Sequence, residues 1–210
     1  HFNSLVEDIE VKNNEIKSLK ILEVDTQKSY IYDIDKVIFA IGHSSRDTYK
    51  MLHSKGVAMK NKPFAIGVRI EHLRKDIDKM QYGEAVSNPL LEAATYNMAF
   101  NNKKETRGTF SFCMCPGGEI VNAASELGAS LVNGMSYSTR NGKFSNSAIV
   151  VGISEKDYGD QIFSGMYLQE KLEKKNYEIV GTYGAIYQNV IDFMKHKKTT
   201  FEIESSYKMK

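Results

Sequence analysis

The residues with the clearest chemical potential lie in one short segment near the middle of the chain. It carries two thiols, Cys113 and Cys115, followed by Pro116, Gly117 and Gly118. Side chains at i and i+2 of a strand point to the same face, at a separation near the upper limit for an unstrained disulfide. The Pro-Gly-Gly turn leaves a bare backbone that a flat ligand can approach closely. Two interpretations stay open: a reactive thiol site, or two buried thiols that pack as small hydrophobic groups.

A second candidate is the turn at Gly42. The apolar run Lys36–Ile41 predicts a buried central strand that ends at this glycine. Ser44 or Ser45 can then cap a helix that ends at Gly56. Backbone N–H groups at such a turn can bind an anion, although a plain turn before a capped helix explains the same residues. No G-x-G-x-x-G and no G-x-x-x-x-G-K-[ST] motif occurs in the chain.

Other common site chemistries find no support in the sequence. The histidines lack metal-ligand spacing, and no serine lies in a G-x-S-x-G motif, so neither a metal site nor a serine hydrolase is predicted. With only 2 cysteines, the chain does not look like a secreted disulfide protein, and a reducing cytoplasm fits better.

The composition is that of an ordinary soluble globular protein. The chain has 210 residues, of which 41% are hydrophobic, enough to bury a real core. With 28 Lys and Arg against 26 Asp and Glu, the net charge of +2 is too small to favour nucleic-acid binding. No apolar run approaches the length of a membrane span, and no signal peptide is evident.

Hydrophobic patterning predicts an α+β fold in which a β-rich mixed sheet is flanked by helices. Residues 4–41 alternate as β-structure, with a turn at Asn13 and Asn14. Residues 73–81 predict a short amphipathic helix with Ile77 and Met80 on its apolar side. Further helices are predicted at 161–175 and 186–195, and further strands at 64–70, 94–100, 109–114, 119–123, 130–136 and 147–153.

Four stretches carry a resemblance to a known family. They are Val37–Thr48, Lys62–His72, Phe112–Gly118 and Asn133–Arg140. In this order they resemble the uncharacterised FAD-dependent dehydrogenases, a bacterial flavoprotein group related to the glutathione-reductase-like superfamily. The resemblance covers most of residues 1–195. It implies that the chain corresponds to the central part of such an enzyme, because the family's N-terminal G-x-G-x-x-G unit and C-terminal glycine-rich segment are absent.

The resemblance also implies a division of the chain. Residues 1–48 would be the end of a Rossmann-like FAD-binding domain, residues 60–195 an inserted substrate domain, and residues 196–210 a polar tail. Ala40, Gly42 and His43 would then lie near the FAD. The superfamily's usual proline after this glycine is absent, and Ser44 and Ser45 stand in its place.

The resemblance also implies that the segment with the two cysteines faces the flavin ring or the substrate pocket. Cys113 and Cys115 would be the catalytic candidates, with Pro116, Gly117 and Gly118 as cofactor contacts. Three further side chains are predicted to contact substrate because buried Arg and Tyr suit anionic or planar ligands. They are Arg69, Tyr137 and Arg140.

Two functions remain open at this point. In the first, the chain contributes the substrate domain of an FAD-dependent oxidoreductase that acts on a small molecule, with NAD(P)H as a possible donor and the rest of the parent chain as its partner. The isolated chain would then be inactive and bind FAD weakly. In the second, the chain is a non-catalytic module that binds a small anion or a partner protein.

Overall fold

The protein has the α+β fold that its sequence predicts. A computed structural model describes residues 1–102 and 107–208. It divides into two compact units, His1–Asn61 and Lys62–Lys210. The described residues form antiparallel sheets with few helices. None of the helices among them is both long enough and apolar enough to cross a membrane.

The first unit contains a three-stranded antiparallel meander. Its strands are β1 (Ser4–Lys12), β2 (Glu15–Glu23) and β3 (Lys28–Asp33), in that order. The predicted turn at Asn13 and Asn14 joins the first two, and both residues have positive φ, as a tight hairpin requires.

One helix, α1 (Arg46–Ser54), follows in the first unit and confirms the helix predicted there. Ser45 occupies the N-cap position, but its hydroxyl donates to the carbonyl of Ile41 at 2.7 Å instead of capping the helix. The chain leaves the helix through Gly56, whose φ of +81° is the left-handed conformation expected after a helix end.

The prediction of a buried central strand at Lys36–Ile41 is wrong for this structure. These residues form no strand, and Ile38 is 91% exposed. A strand that is apolar on both faces becomes buried only when sheet neighbours and covering layers surround it. Among the described residues, no strand pairs with this segment.

The second unit is built around a four-stranded antiparallel sheet of order β4-β9-β6-β5 and a two-stranded sheet, β7-β8. The strands are β4 (Phe64–Leu73), β5 (Ala99–Asn102), β6 (Arg107–Cys115), β7 (Glu119–Asn122), β8 (Val132–Met135) and β9 (Phe144–Ile153). The helices are α2 (Arg74–Tyr82), α3 (Glu155–Tyr158), α4 (Ser164–Val180) and α5 (Val190–Met194), with a 3-10 turn at Gly83–Ser87.

Helix α2 buries a different side chain from the one its pattern predicts. Met80 is exposed, whereas Asp78 is buried. The Asp78 carboxylate accepts hydrogen bonds from the Arg74 guanidinium and from the backbone N–H of Ala94, each at 2.8 Å. Because both bonds satisfy the buried charge, the polar side chain can face inward.

The centre of the second unit is polar. Ser145, Asn146 and Ser147 are successive residues of β9, and all three are fully buried between β4 and β6. The Ser145 hydroxyl accepts from the backbone N–H of Gly117 at 2.9 Å. This run of polar residues fixes the middle of the sheet next to the segment that contains the two cysteines.

Candidate functional site

A β-bulge separates the two cysteines. Phe112 pairs with Ala148 and Cys115 pairs with Asn146, so β6 advances three residues while β9 advances two. Cys113 takes the extra position with φ of +50°, a left-handed conformation that is unusual for a residue other than glycine. Cys113 is therefore exposed and Cys115 buried, as free thiols. The expectation that both thiols share one face is wrong because the bulge breaks the alternation.

The turn after the bulge is packed against the chain's own backbone. Pro116, Gly117 and Gly118 are buried. Gly117 has φ of +55°, and a Cβ there would lie 1.9 Å from the carbonyl oxygen of Arg140. A Cβ on Gly118 would lie 2.2 Å from the carbonyl oxygen of Met135. Glycine at both positions is therefore explained by internal packing, and the predicted contact of this turn with a flavin stays a prediction.

Arg69 of β4 lies against the bulge. Its Nη1 donates to Asn146 Oδ1 at 2.7 Å and to the carbonyl oxygen of Cys113 at 3.3 Å. Its Nη2 donates to Asn133 Oδ1 of β8 at 2.9 Å. The guanidinium thus joins the central sheet to the two-stranded sheet and is held from several sides.

The residues around Arg69 are tightly packed because β8 has a glycine, Gly134, where its backbone approaches them. A Cβ on Gly134 would lie 2.1 Å from Asn146 Oδ1, 2.4 Å from Arg69 Nη1 and 2.8 Å from Cys115 Sγ. The structure therefore brings Arg69 and Cys115 together with two residues for which no role was predicted: Asn133, which begins one of the resemblance stretches, and Asn146. One sequence feature could have indicated Asn146, because it lies in the polar triplet Ser145–Ser147 at the start of an otherwise apolar strand pattern.

The environment of Cys115 keeps its thiol neutral. Burial raises the pKa of Cys115, and the nearby Arg69 charge offsets this only in part. Its Sγ lies 3.5 Å from the carbonyl oxygen of Cys113, to which it donates. A reactive thiolate needs a lowered pKa and access to solvent. Of the two cysteines, Cys113 has the exposure that such a role requires.

The other two predicted substrate contacts, Tyr137 and Arg140, lie in the exposed loop after β8. The Arg140 guanidinium donates to the Glu92 carboxylate at 3.3 Å, and its backbone N–H donates to the Tyr137 carbonyl at 3.0 Å. Both side chains are accessible to a ligand. Arg140 also approaches the bulge segment through its carbonyl, which faces Gly117.

Opposite the Arg69 face, a histidine and a tyrosine form a pair that the motifs did not indicate. His72 Nε2 and Tyr96 Oη share a hydrogen bond of 2.8 Å. Burial lowers the pKa of His72 and raises the pKa of Tyr96, so both are held in their neutral forms. Tyr96 also lines a cavity of about 280 Å³ together with Cys113 and four neighbouring residues.

The cofactor candidates of the first unit are all exposed. Ala40, Gly42 and His43 follow one another at the end of the unpaired apolar segment. Gly42 has φ of +71°, and the position of a Cβ there has no atom within 4 Å. Its carbonyl accepts from the Tyr49 hydroxyl at 2.8 Å. This open backbone fits a close contact with a cofactor, in contrast to the covered glycines of the second unit.

Metal ligation is not offered by the part of the chain that the structure describes. Across residues 1–102 and 107–208, no three His, Cys, Asp or Glu side chains are grouped so that they could hold a metal ion. The chemistry available from the described side chains is that of a thiol, a guanidinium, and the His72–Tyr96 pair.

Comparison with known proteins gives two matches. A family model described as "FAD-dependent protein, C-terminal domain-like" matches residues 63–210. A Clostridium beijerinckii protein described as "Uncharacterized protein" is 42% identical over 202 residues, which is 95% of this chain and 37% of that relative. The chain thus spans little more than a third of the relative's length. Because the family model covers more than half of its residues, the chain belongs to the family of FAD-dependent protein C-terminal domain-like proteins.

Proposed function

We propose that this chain supplies the substrate-side domain of an FAD-dependent oxidoreductase of the dehydrogenase type. The observation that carries the proposal is the coincidence of two boundaries. The family match begins at residue 63, and the second compact unit begins at Lys62. The family description therefore applies to one structural unit. Residues 1–48 are proposed to belong to an FAD-binding domain of the glutathione-reductase type, whose remainder is supplied by the rest of a longer chain.

The proposed roles follow the exposure of each residue. Ala40, Gly42 and His43 would contact the cofactor, since their backbone is open. When bound, FAD would accept or deliver the two electrons of the reaction. Cys113, exposed at the bulge, is the thiol proposed to face the reacting pair. Buried Cys115 would have a packing role, with its thiol donating a hydrogen bond to the Cys113 carbonyl of the bulge.

The remaining residues would bind and orient a small-molecule substrate. Arg69 supplies a guanidinium that contacts the bulge. Arg140 and Tyr137 supply a second guanidinium and a phenol from the exposed loop after β8, whose backbone lies against Gly117. The covered turn at Pro116–Gly118 would hold that segment rigid, because its backbone is fixed by Ser145 and by the loop after β8. NADH or NADPH is proposed as the donor that reduces the flavin.

The test is the visible absorption spectrum of the full-length protein, purified without added cofactor. We expect a flavin band that bleaches when NADH or NADPH is added under anaerobic conditions. A flavin band that does not bleach would show that the protein binds flavin but is not reduced by NADH or NADPH. The absence of any flavin would overturn the proposal and favour the non-catalytic anion-binding module instead.

A calorimetric titration of the 210-residue chain with FAD tests the proposed division separately. We expect weak or undetectable binding, because no dinucleotide-binding glycine motif occurs in the chain. Tight binding of one FAD per chain would show that the division between cofactor and substrate domains is wrong.

A further inference from the structure

The hydrogen-bond partners of Arg69 are all electrically neutral. They are the amide oxygens of Asn146 and Asn133 and the backbone carbonyl of Cys113, at 2.7, 2.9 and 3.3 Å. Neutral acceptors orient a guanidinium without cancelling its charge. Arg69 is only partly buried, so its charged guanidinium remains accessible to water and to an anionic ligand.

No acid of the described residues pairs with Arg69 within ion-pair distance. The nearest acid in sequence on the same face of β4 is Glu71, because side chains alternate along a strand. Its carboxylate instead accepts hydrogen bonds from the backbone N–H and the hydroxyl of Ser206. The positive charge of Arg69 is therefore not paired with an acid of the described residues.

Two N–H groups of Arg69 remain for that ligand. A guanidinium has five N–H bonds. Across residues 1–102 and 107–208, three donate to oxygen atoms, two from Nη1 and one from Nη2. The guanidinium also interacts with the Cys115 thiol. The N–H group on Nε and the second one on Nη2 donate to no oxygen of the described residues. A guanidinium binds a carboxylate through two such parallel N–H bonds.

Asn146 adds an independent observation. It is 0% exposed, and its Nδ2 has no hydrogen-bond partner among the described residues. An unpartnered buried amide N–H costs about 1–3 kcal/mol, so native proteins keep few of them without a reason. Here the amide is turned so that its oxygen meets Arg69. The amide thus leaves Nδ2 without a partner while its oxygen orients the Arg69 guanidinium.

We propose that Arg69, oriented by Asn146 and Asn133, binds a carboxylate group of the substrate. A planar monoanion matches one guanidinium with two available donors, whereas a dianionic phosphate calls for more positive charge and more donors. Only the assignment of the carboxylate to a substrate rests on the proposed function. The carboxylate site itself is inferred from Arg69 and its neighbours alone.

The first test uses sodium acetate and sodium succinate as probes with the 210-residue chain, at constant ionic strength. We expect saturable shifts of the Arg69 Nε–H nuclear magnetic resonance signal, with a dissociation constant on the order of 1 mM. Inorganic phosphate should bind at least about threefold more weakly than succinate. No saturable shift, or tighter binding of phosphate, would overturn the proposal.

Matched variants locate the site, with binding followed on the backbone amide signals of Asn133 and Cys113. Arg69→Gln should weaken carboxylate binding by at least about tenfold. Arg107→Gln removes the same charge from an exposed arginine that pairs with Asp157, and it should change binding less than twofold. Equal weakening by both variants would mean that only net charge matters, and it would overturn the proposal.

A second variant adds a charge instead of removing one. Asn146→Asp keeps the shape of the side chain and gives Arg69 a counterion, so carboxylate binding should be lost while the chain stays folded. Asn88→Asp adds the same charge at an exposed loop position and should leave binding unchanged. Retained binding in Asn146→Asp would overturn the proposal even if Arg69→Gln failed to fold.

The outcomes are separable from those of the proposed function. A full-length protein without flavin would contradict the oxidoreductase, yet the acetate and succinate titrations would still report on Arg69. A flavoprotein whose 210-residue chain does not bind these probes would keep the oxidoreductase and lose the carboxylate site.

Discussion

The apolar segment Lys36–Ile41 and the polar triplet Ser145–Ser147 have exchanged the environments that hydrophobicity alone predicts. The apolar segment is unpaired among the described residues, and Ile38 is 91% exposed. The polar triplet is fully buried in the central strand of the second unit. In these two regions, burial follows the presence of paired strands on both sides and not hydrophobicity. The buried polar triplet holds the turn through Ser145 and Arg69 through Asn146.

The largest effect is expected at the turn that the polar strand supports. Gly117→Ala should lower the free energy of unfolding by about 3 kcal/mol or more, because the new Cβ meets the Arg140 carbonyl at 1.9 Å and φ is +55°. Gly128→Ala is the control, since its φ is +72° but no atom lies within 4 Å. It should lose only about 1–2 kcal/mol. If urea denaturation gave equal losses of unfolding free energy for the two variants, the close packing of the turn would not contribute to stability.

Removing the buried amide should have the next largest effect. Asn146→Leu leaves Arg69 Nη1 without its shortest hydrogen bond and should lower the free energy of unfolding by about 2–3 kcal/mol. Asn133→Ala removes an acceptor from an exposed residue and should lose less than about 1 kcal/mol. A leucine variant as stable as the parent would show that the polar centre is not needed for the fold.

Thiol chemistry sharpens the contrast between the two faces of the bulge. With an excess of a disulfide reagent such as Ellman's reagent, Cys113 should react at least about 100-fold faster than Cys115, which becomes accessible only through local opening. The variant Cys113→Ser should retain only the slow phase. A single phase for both thiols would contradict the buried position of Cys115.

The His72–Tyr96 pair predicts a dependence of stability on pH. The pKa of His72 is lowered, mainly by burial, so the unfolded chain takes up a proton below about pH 6.5 that the folded chain does not. The free energy of unfolding should therefore fall as pH drops from 7.5 to 5.5, and it should recover as pH rises. In His72→Gln this part of the slope should disappear. An unchanged slope would mean that other groups produce it.

The smallest effect is expected in the apolar segment of the first unit. Ile38→Ala should change the free energy of unfolding of the 210-residue chain by less than about 0.5 kcal/mol, because the side chain is exposed. Ile9→Ala in β1 should lose about 2–4 kcal/mol, because that side chain is buried. A large loss for Ile38→Ala would show that the segment is packed, contrary to its exposed position.

Local signals in the sequence predicted much of the fold. The Asn13–Asn14 turn, the helix that ends at Gly56 and the strand beginning at Phe64 are encoded by neighbouring residues, and each lies where the pattern indicates. The state of Lys36–Ile41 depends on pairing partners that the segment itself does not specify. Its apolar pattern alone therefore gave the wrong prediction.

The candidate site was harder to predict because it is assembled from distant positions. Asn133 and Asn146 are 64 and 77 residues from Arg69, and only the register of the strands brings them together. The bulge that exposes Cys113 depends on the pairing of β6 with β9 and leaves no local sequence signal. The motif identified the cysteines and glycines, whereas the side chains that orient Arg69 required the tertiary structure.

The most direct test of the account is a titration of the full-length protein with succinate, followed through the visible absorption of its flavin. If the second unit presents a carboxylate site to the cofactor, the flavin band should shift saturably in the parent protein. In Arg69→Gln the same shift should need at least about tenfold more succinate. A flavin band that does not respond to succinate, or that responds equally in the variant, would contradict the account.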